Sequence, residues 1–184
     1  MPLPIYIKGG ELYDESTSSF IQVKDTKLVL EHSLLSISKW EMKWHIPFLD
    51  DKIEKTKEQI LYYFYCMVVS PKEIDQNIFR YLTYKQQQEI AEYIKNPMSA
   101  TTFNIPKHKR NKEIITSELI YYWMAGNQIP FECEKWHINR LLNLIQICGI
   151  KNDPKAAKKM AKKDILAQND KLNDIRRAKL KTKG

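Results

Sequence analysis

Residues 114–150, IITSELIYYWMAGNQIPFECEKWHINRLLNLIQICGI, predict two helices joined by a short turn. Thr116 or Ser117 can cap the first helix, because a hydroxyl oxygen accepts hydrogen bonds from the unpaired amides of the first turn. The residues from Leu119 to Ala125 are almost all apolar, which is typical of a helix buried on more than one side. Gly126-Asn127 ends this helix, since both residues tolerate positive φ.

The second helix of this pair is predicted to begin near Cys133 or Glu134 and to end at Gly149, a residue type common just after helices. Its apolar side chains recur at helical spacing, at Trp136, Leu141, Leu144, Ile145 and Cys148. A helix-turn-helix DNA reader needs exposed basic or amide side chains at the start of its second helix. Glu134 and Trp136 stand there instead, so the pattern favours a helical hairpin in a core.

Further helices are predicted upstream, where side chains that cap helix starts occur at Ser33 or Ser38, Thr56 and Thr83. Ser38 with Glu41 has the spacing of a capping box. The most apolar run of the chain, Ile60–Val69, is assigned to one buried helix. Ser70-Pro71 is predicted to start the next helix, because proline is favoured at the first helical position.

The first 31 residues predict a small antiparallel sheet. Leu3–Lys8 and Phe20–Lys24 have the composition of strands, and Leu28–Leu30 can return beside them. A sheet of this size must pack on helices to be stable. The sequence therefore predicts an α+β, mainly α-helical fold, with a small N-terminal antiparallel sheet packed on a helical bundle. We expect one domain at 1–150 with an N-terminal β-hairpin, followed by a basic C-terminal helical arm at 151–184.

The net charge of +8 is unevenly distributed along the chain. Residues 151–184 contain 12 Lys or Arg and four Asp, a net charge of +8, so residues 1–150 are neutral overall. A neutral body with a basic arm directs an anionic partner to the arm and not to the whole surface.

The arm carries a narrow apolar stripe among basic side chains, which is typical of a helix that docks on a partner. Its predicted partner-binding residues are Ile165, Leu172, Ile175, Arg176, Arg177 and Lys179. Nucleic acid is the alternative partner, because lysine and arginine bind phosphates. The residues predicted to bind it in a basic loop upstream of the hairpin are Lys107, Lys109, Arg110 and Lys112.

A second candidate binding site for nucleic acid is the predicted helix that contains Trp40 and Trp44. These two residues are four positions apart and share one face. Lys39 and Lys43 lie on the neighbouring face. Aromatic and basic side chains together can stack on bases and bind phosphates. The pattern nevertheless favours tryptophans that belong to the core, with solvated lysines beside them.

No catalytic constellation is recognisable. Glycine-rich phosphate loops and the motifs GxSxG, HExxH and CxxC do not occur, so we expect neither an enzyme nor a cofactor. Cys133 and His137 have the spacing of two metal ligands on a helix. Nothing in the spacing suggests the further ligands that a metal needs, so a structural role is favoured and no metal site is predicted.

The cysteines Cys66, Cys133 and Cys148 are widely spaced within apolar stretches, which is typical of reduced thiols in a cytosolic protein. No run of about 18 apolar residues predicts a membrane-spanning helix. The N-terminus lacks the basic region and apolar core of a secretory signal. These features predict a cytoplasmic protein that does not bind membranes.

Several blocks of the sequence resemble a family of small tailed-bacteriophage proteins that is associated with the tail genes. The blocks are HSLLSISKWEMKWHIPFL at 32–49, MSATTFN at 98–104, ITSELIYYWMAGNQIPFECEKWHINRLLNLIQICGIKN at 115–152 and QNDKLNDIRRAKLKTKG at 168–184. Together they cover a little under half of the chain.

The resemblance implies a protein of tail morphogenesis that is made in the cytoplasm of the host bacterium. It implies either an assembly chaperone or a minor structural subunit of the tail, which would then also be present in the virion. The implied partners are phage tail proteins, either the tape measure protein or the tail tube. The family supplies no active-site motif. A neutral helical body with a basic, narrowly apolar arm is compatible with this role.

Overall fold

The computed structural model describes residues 2–14, 18–101 and 113–152, and it has the predicted α+β, mainly helical fold with a small antiparallel sheet. The strands are β1 (Leu3–Ile7), β2 (Gly10–Asp14), β3 (Ser19–Val23), β4 (Thr26–Leu30) and β5 (Val68–Ser70). The helices are α1 (Leu34–Trp44), α2 (Lys57–Cys66), α3 (Tyr84–Lys95), α4 (Ser117–Gly126) and α5 (Ile138–Asn152), with 3₁₀ helices at Gln76–Tyr81 and Phe131–Lys135.

The chain divides into two compact units, Met1–Asn143 and Leu144–Gly184. The first contains all strands and helices named above up to the start of α5. Of the second, the structure describes Leu144–Asn152, which are the last turns of α5. The residues predicted to bind partners through the arm, from Ile165 to Lys179, lie outside the described residues.

The main sheet has the order β1-β4-β5, and both pairings are antiparallel. Its inward face consists of Ile5, Ile7, Leu28 and Leu30, which are almost fully buried. β2 and β3 pair separately as a two-stranded sheet. The strands predicted at the positions of β1, β3 and β4 are confirmed, but β4 pairs with β1 and not with β3, so the N-terminal strands belong to two sheets and not to one. β2, whose sequence GELYD has no strong strand pattern, was not expected.

The apolar run Ile60–Val69 does not form one helix, as the sequence predicted. α2 ends at Cys66, and Val68–Ser70 turns into β5 beside β4. The backbone amide of Glu31 donates to the carbonyl of Met67 at 2.8 Å, which fixes this change of direction. Tertiary pairing overrides the helical continuation because β4 otherwise exposes an unpaired edge.

Pro71 does not start a helix either. The next helical residues are those of the 3₁₀ helix that follows Asp75, whose carboxylate accepts from the amide of Asn77 at 2.9 Å. Elsewhere the capping predictions are confirmed, since Thr56, Thr83 and Thr116 cap α2, α3 and α4. For α1 the cap is Ser33 and not Ser38.

The second helix of the 114–150 stretch begins later and ends later than predicted. Residues near Cys133 form a 3₁₀ helix, and α5 begins at Ile138 and passes through Gly149 to Asn152. The delay has a tertiary cause, because His137 forms a β-bridge with Ser33 and the amide of Ile138 donates to the carbonyl of His32 at 2.7 Å. These contacts require extended backbone just before α5.

The aromatic core lies between α1, α2 and the 3₁₀ helix that precedes α3. Trp40 and Phe79 are 0% and 1% exposed. The Trp40 indole N–H donates to the carbonyl of Gln59 at 2.9 Å, and Phe48 stacks on Tyr63 with ring centroids 3.9 Å apart. Burial raises the pKa of the Cys66 thiol to about 11, so this cysteine packs as a neutral side chain.

Candidate functional site

A cluster of buried polar side chains lies where the end of β4 meets α5. We call it the polar centre, and its members are Glu31, His32, Ser33, Ser36, Tyr63, Tyr93 and His137. The Tyr93 hydroxyl donates to Glu31 Oε1 at 2.5 Å, and the Tyr63 hydroxyl is hydrogen-bonded to His32 Nδ1. The imidazole rings of His32 and His137 lie 5.0 Å apart, edge to face.

The hydrogen bonds of His137 determine its tautomer. Its Nδ1 accepts from the amide of Asn139 at 3.3 Å, so Nε2 carries the proton and donates to the carbonyl of Tyr93 at 3.0 Å. Burial lowers the pKa of His137. Burial, with a smaller contribution from His137, lowers the pKa of His32 to about 3. Both rings are therefore neutral near pH 7.

The polar centre has the residue types of a catalytic site, but its hydroxyl groups are either protonated near neutral pH or already hydrogen-bonded within the fold. Burial raises the pKa of the Tyr63 hydroxyl and that of the Tyr93 hydroxyl, so neither is a base near neutral pH. The Ser36 hydroxyl donates to the carbonyl of Ser33 at 2.7 Å inside the α1 capping box. These hydrogen bonds join β4, α1, α2, α3 and α5, and we interpret the cluster as structural.

Cys133 and His137, which have the spacing of two metal ligands, belong to no group of three His, Cys, Asp or Glu side chains in the described residues that could hold one ion. Cys133 belongs to a 3₁₀ helix and His137 is already bonded on both nitrogens.

A buried carboxylate joins α1 to α4. Glu41 Oε1 accepts from the backbone amide of Phe48, and its Oε2 accepts from the amide of Ser117, each at 2.8 Å. Ser117 is the first residue of α4, where unpaired amides and the helix dipole favour a negative charge. Glu41 thus holds together two of the blocks that carry the family resemblance.

One open groove has the features of a binding site, and we call it the basic groove. It lies between α1, α2, the 3₁₀ helix Gln76–Tyr81 and α3, and its volume is about 590 Å³. Its lining residues are Lys43, Lys57, Glu58, Leu61, Tyr62, Gln76, Asn77, Phe79, Arg80 and Gln87. Three of them are cationic and one is anionic, a net charge of +2 in a body that is neutral overall.

Aromatic contacts define the wall of the basic groove. Lys43 Nζ lies 3.9 Å from the centre of the Tyr62 ring, and the Trp44 ring meets Tyr62 edge to face at 6.2 Å. Trp44 Nε1 is buried without a hydrogen-bond partner in the described structure. The prediction that both tryptophans belong to the core is confirmed for Trp40, whereas Trp44 is half-buried beside the groove.

A second concavity of about 480 Å³ is mainly apolar and lies between the end of α1 and the start of α4. Met42, Ile46 and Pro47 line it on one side. Ile114 and Ile115 directly precede its lining residue Thr116, and Tyr122 is one turn beyond its lining residue Glu118. We call these six residues the apolar face: Met42, Ile46, Pro47, Ile114, Ile115 and Tyr122.

The apolar face is exposed to an unusual degree for its residue types. Met42 is 67% exposed, Ile114 55% and Tyr122 72%. Single exposed hydrophobic residues are common on protein surfaces, but Met42, Ile46 and Pro47 line one concavity together, and such a grouping is typical of an interaction site. No helix in the described ranges is long and apolar enough to span a bilayer.

The sequence indicated these surfaces only in part. Lys43 belongs to the less favoured nucleic-acid interpretation of the Trp40–Trp44 helix, and Lys57 and Arg80 are 14 and 37 positions further along and carry no motif. The loop residues Lys107, Lys109, Arg110 and Lys112 lie outside the described residues. Since the groove is assembled from four separate elements, a search for local motifs could not find it.

None of the protein-family models, curated proteins and solved structures that were compared with the chain matches it.

Proposed function

We propose that this protein is a non-enzymatic component of bacteriophage tail morphogenesis and that it acts by protein–protein interaction. The structural observation that supports this proposal is the apolar face. The resemblance of four sequence blocks to a tail-associated phage family supplies the biological context. The protein would act in the cytoplasm of the host bacterium, as an assembly chaperone or as a minor structural subunit that remains in the virion.

The partner that suits the apolar face is a helical segment of the tape measure protein or of the tail tube. An amphipathic helix binds a concave apolar surface through side chains spaced three and four residues apart. Met42 and Tyr122 are the large exposed side chains of the face that can pack against such a helix. Covering such a helix until assembly would prevent premature association of the partner.

The decisive experiment is co-purification of the tagged full-length protein with the tape measure and tail-tube proteins encoded in the same genome. We expect Met42→Glu and Tyr122→Glu to abolish capture, because each places a charge in the apolar contact. Tyr84→Glu is the matched control, since Tyr84 is 76% exposed on α3 and lies outside the apolar face. Equal capture by all three variants would refute the role of the apolar face.

Mass spectrometry of purified virions then separates the two forms of the proposal. A fixed stoichiometry identifies a structural subunit. Presence in infected cells without presence in virions identifies a chaperone. Failure of both tail proteins to bind the wild-type chain contradicts the whole proposal.

Nucleic-acid binding through the basic arm is the alternative function, and the +8 net charge of residues 151–184 supports it. Phosphate contacts release counterions, so affinity would fall steeply with salt. Reversing Arg176, Arg177 and Lys179 to glutamate in the full chain should then weaken binding and flatten the salt dependence. Retained binding in that triple variant would exclude the arm.

A further inference from the structure

We infer that the basic groove between α1, α2 and the 3₁₀ helix Gln76–Tyr81 is a binding site for a nucleoside phosphate, free or within a single strand. This site belongs to the body of the protein and not to the basic arm or the 107–112 loop. The inference is independent of the tail-assembly proposal, because the basic groove and the apolar face share no lining residue.

The net positive charge of the basic groove favours an anionic ligand. Lys43, Lys57 and Arg80 approach it from three different elements and all three are exposed. Convergence of cations from separate elements is characteristic of phosphate sites, where ammonium and guanidinium groups share the acceptor oxygens. The amide side chains of Gln76 and Asn77 provide further hydrogen-bond donors at the same side of the groove.

The apolar part of the lining favours a ligand that has a planar group next to its anionic group. Leu61 contributes apolar surface, and Tyr62 presents its ring. The ammonium of Lys43 lies 3.9 Å from the centre of the Tyr62 ring, so it covers the ring face on which a flat ligand would stack. A base that stacks there would displace Lys43 toward the phosphate at a small cost, because an exposed cation–π contact contributes little.

Glu58 is the anionic side chain in the lining of the basic groove. Its carboxylate repels any anion, so the phosphate of a ligand would lie beside the three cations and away from Glu58. The same carboxylate can accept a hydrogen bond from a sugar hydroxyl or a base amine. The volume of about 590 Å³ lies within the range of small-molecule sites, which suits one or two nucleotides and not a longer folded segment.

The test titrates ¹⁵N-labelled full-length protein with the 5′-phosphorylated dinucleotide pdTdT. We expect the NMR signals of the side-chain N–H groups of Gln76, Asn77 and Arg80 to shift on binding. Lys57→Ala/Arg80→Ala should weaken binding at least about tenfold, because it removes two phosphate contacts. Tyr62→Leu should weaken it about tenfold, and Tyr62→Phe should restore it to within about twofold, because the ring does the stacking.

Matched controls separate the basic groove from general electrostatics. Lys8→Ala/Lys27→Ala removes the same charge from two exposed positions outside the groove, one directly after β1 and one in β4, and should change affinity less than about twofold. Thermal melts verify that each variant is folded. Equal weakening by both double variants would overturn the inference, because binding would then follow net charge alone. Absence of the side-chain shifts at saturating pdTdT would also overturn it.

Two further probes identify the ligand source. A hexaglutamate peptide that binds as tightly as pdTdT, with no dependence on Tyr62, would overturn the inference in favour of an acidic peptide. dTMP that binds as tightly as pdTdT supports a free nucleotide. Affinity that rises from dTMP to pdTdT to a dodecamer of thymidine supports a single strand. Met42→Glu and Tyr122→Glu, the variants of the apolar face, should leave the affinities for these nucleotides unchanged. Failure of the tail-assembly proposal can therefore be distinguished from failure of the nucleotide-binding inference.

Discussion

The polar centre and the basic groove contain similar residue types, but their hydrogen-bonding capacity is used differently. In the polar centre, Glu31, His137 and Ser36 are buried and bonded to Tyr93, to backbone and to the α1 cap. In the basic groove, Lys57 and Arg80 are exposed and face a cavity. Polar groups whose bonds are internal specify the fold, whereas polar groups that face a cavity are available to a ligand.

The largest effect on stability is expected at Glu41, which belongs with the internally bonded groups. Glu41→Ala leaves the buried amides of Phe48 and Ser117 without acceptors, and we expect the free energy of unfolding to fall by about 3–5 kcal/mol. Urea denaturation measures this change. Glu92→Ala, an exposed change on α3, should have almost no effect. A loss below about 1 kcal/mol for Glu41→Ala would show that the two bonds contribute little.

The pH dependence of stability is the next largest effect. The pKa of His32 is about 3 in the folded protein and 6.5 in the unfolded reference, so the unfolded chain binds the proton first as the pH falls. The stability contributed by neutral His32 is fully present above pH 6.5 and is lost progressively as the pH falls toward 3. The expected slope is about 1.4 kcal/mol per pH unit in this window.

Two asparagine variants isolate this contribution. His32→Asn keeps an acceptor near the Tyr63 hydroxyl but does not titrate, so its stability should fall less steeply between pH 6.5 and pH 4.5. His45→Asn is the control, since His45 is exposed at a positive φ of 54° that asparagine tolerates. Identical slopes for wild type and His32→Asn would contradict a neutral, buried His32.

A smaller effect should separate the two tryptophans of α1. Trp40→Phe removes the indole donor to Gln59 and creates a small cavity, so we expect a loss of about 2 kcal/mol. Trp44→Phe removes an indole N–H that has no partner in the described structure, and stability should change by less than about 0.5 kcal/mol. Equal losses would mean that Trp44 belongs to the core as much as Trp40 does.

The smallest effect is expected in the basic groove itself. Lys57→Ala and Arg80→Ala change exposed side chains, so the midpoint of thermal unfolding should equal that of the wild type within error. A clear loss of stability in either variant would place that cation among the groups that hold the fold. It would remove the contrast between the basic groove and the polar centre.

Elements whose signals lie within a few neighbouring residues could be predicted from the amino-acid sequence. Thr56, Thr83 and Thr116 cap their helices as predicted, because a cap needs only the residues of one helical turn. The strands β1, β3 and β4 and the mainly helical α+β class followed from apolar patterns of a few residues. Trp40 was assigned to the core on the same basis.

Features that depend on partners far apart in the chain could not be predicted, because they arise from tertiary contacts. Val68–Ser70 is a strand because β4 needs a neighbour, and α5 begins at Ile138 because Ser33 and His32 hold the preceding residues extended. The basic groove exists because the fold brings α1, α2 and the 3₁₀ helix Gln76–Tyr81 side by side. Long-range pairing and burial contribute more free energy than local propensity, and their partners cannot be read from neighbouring residues.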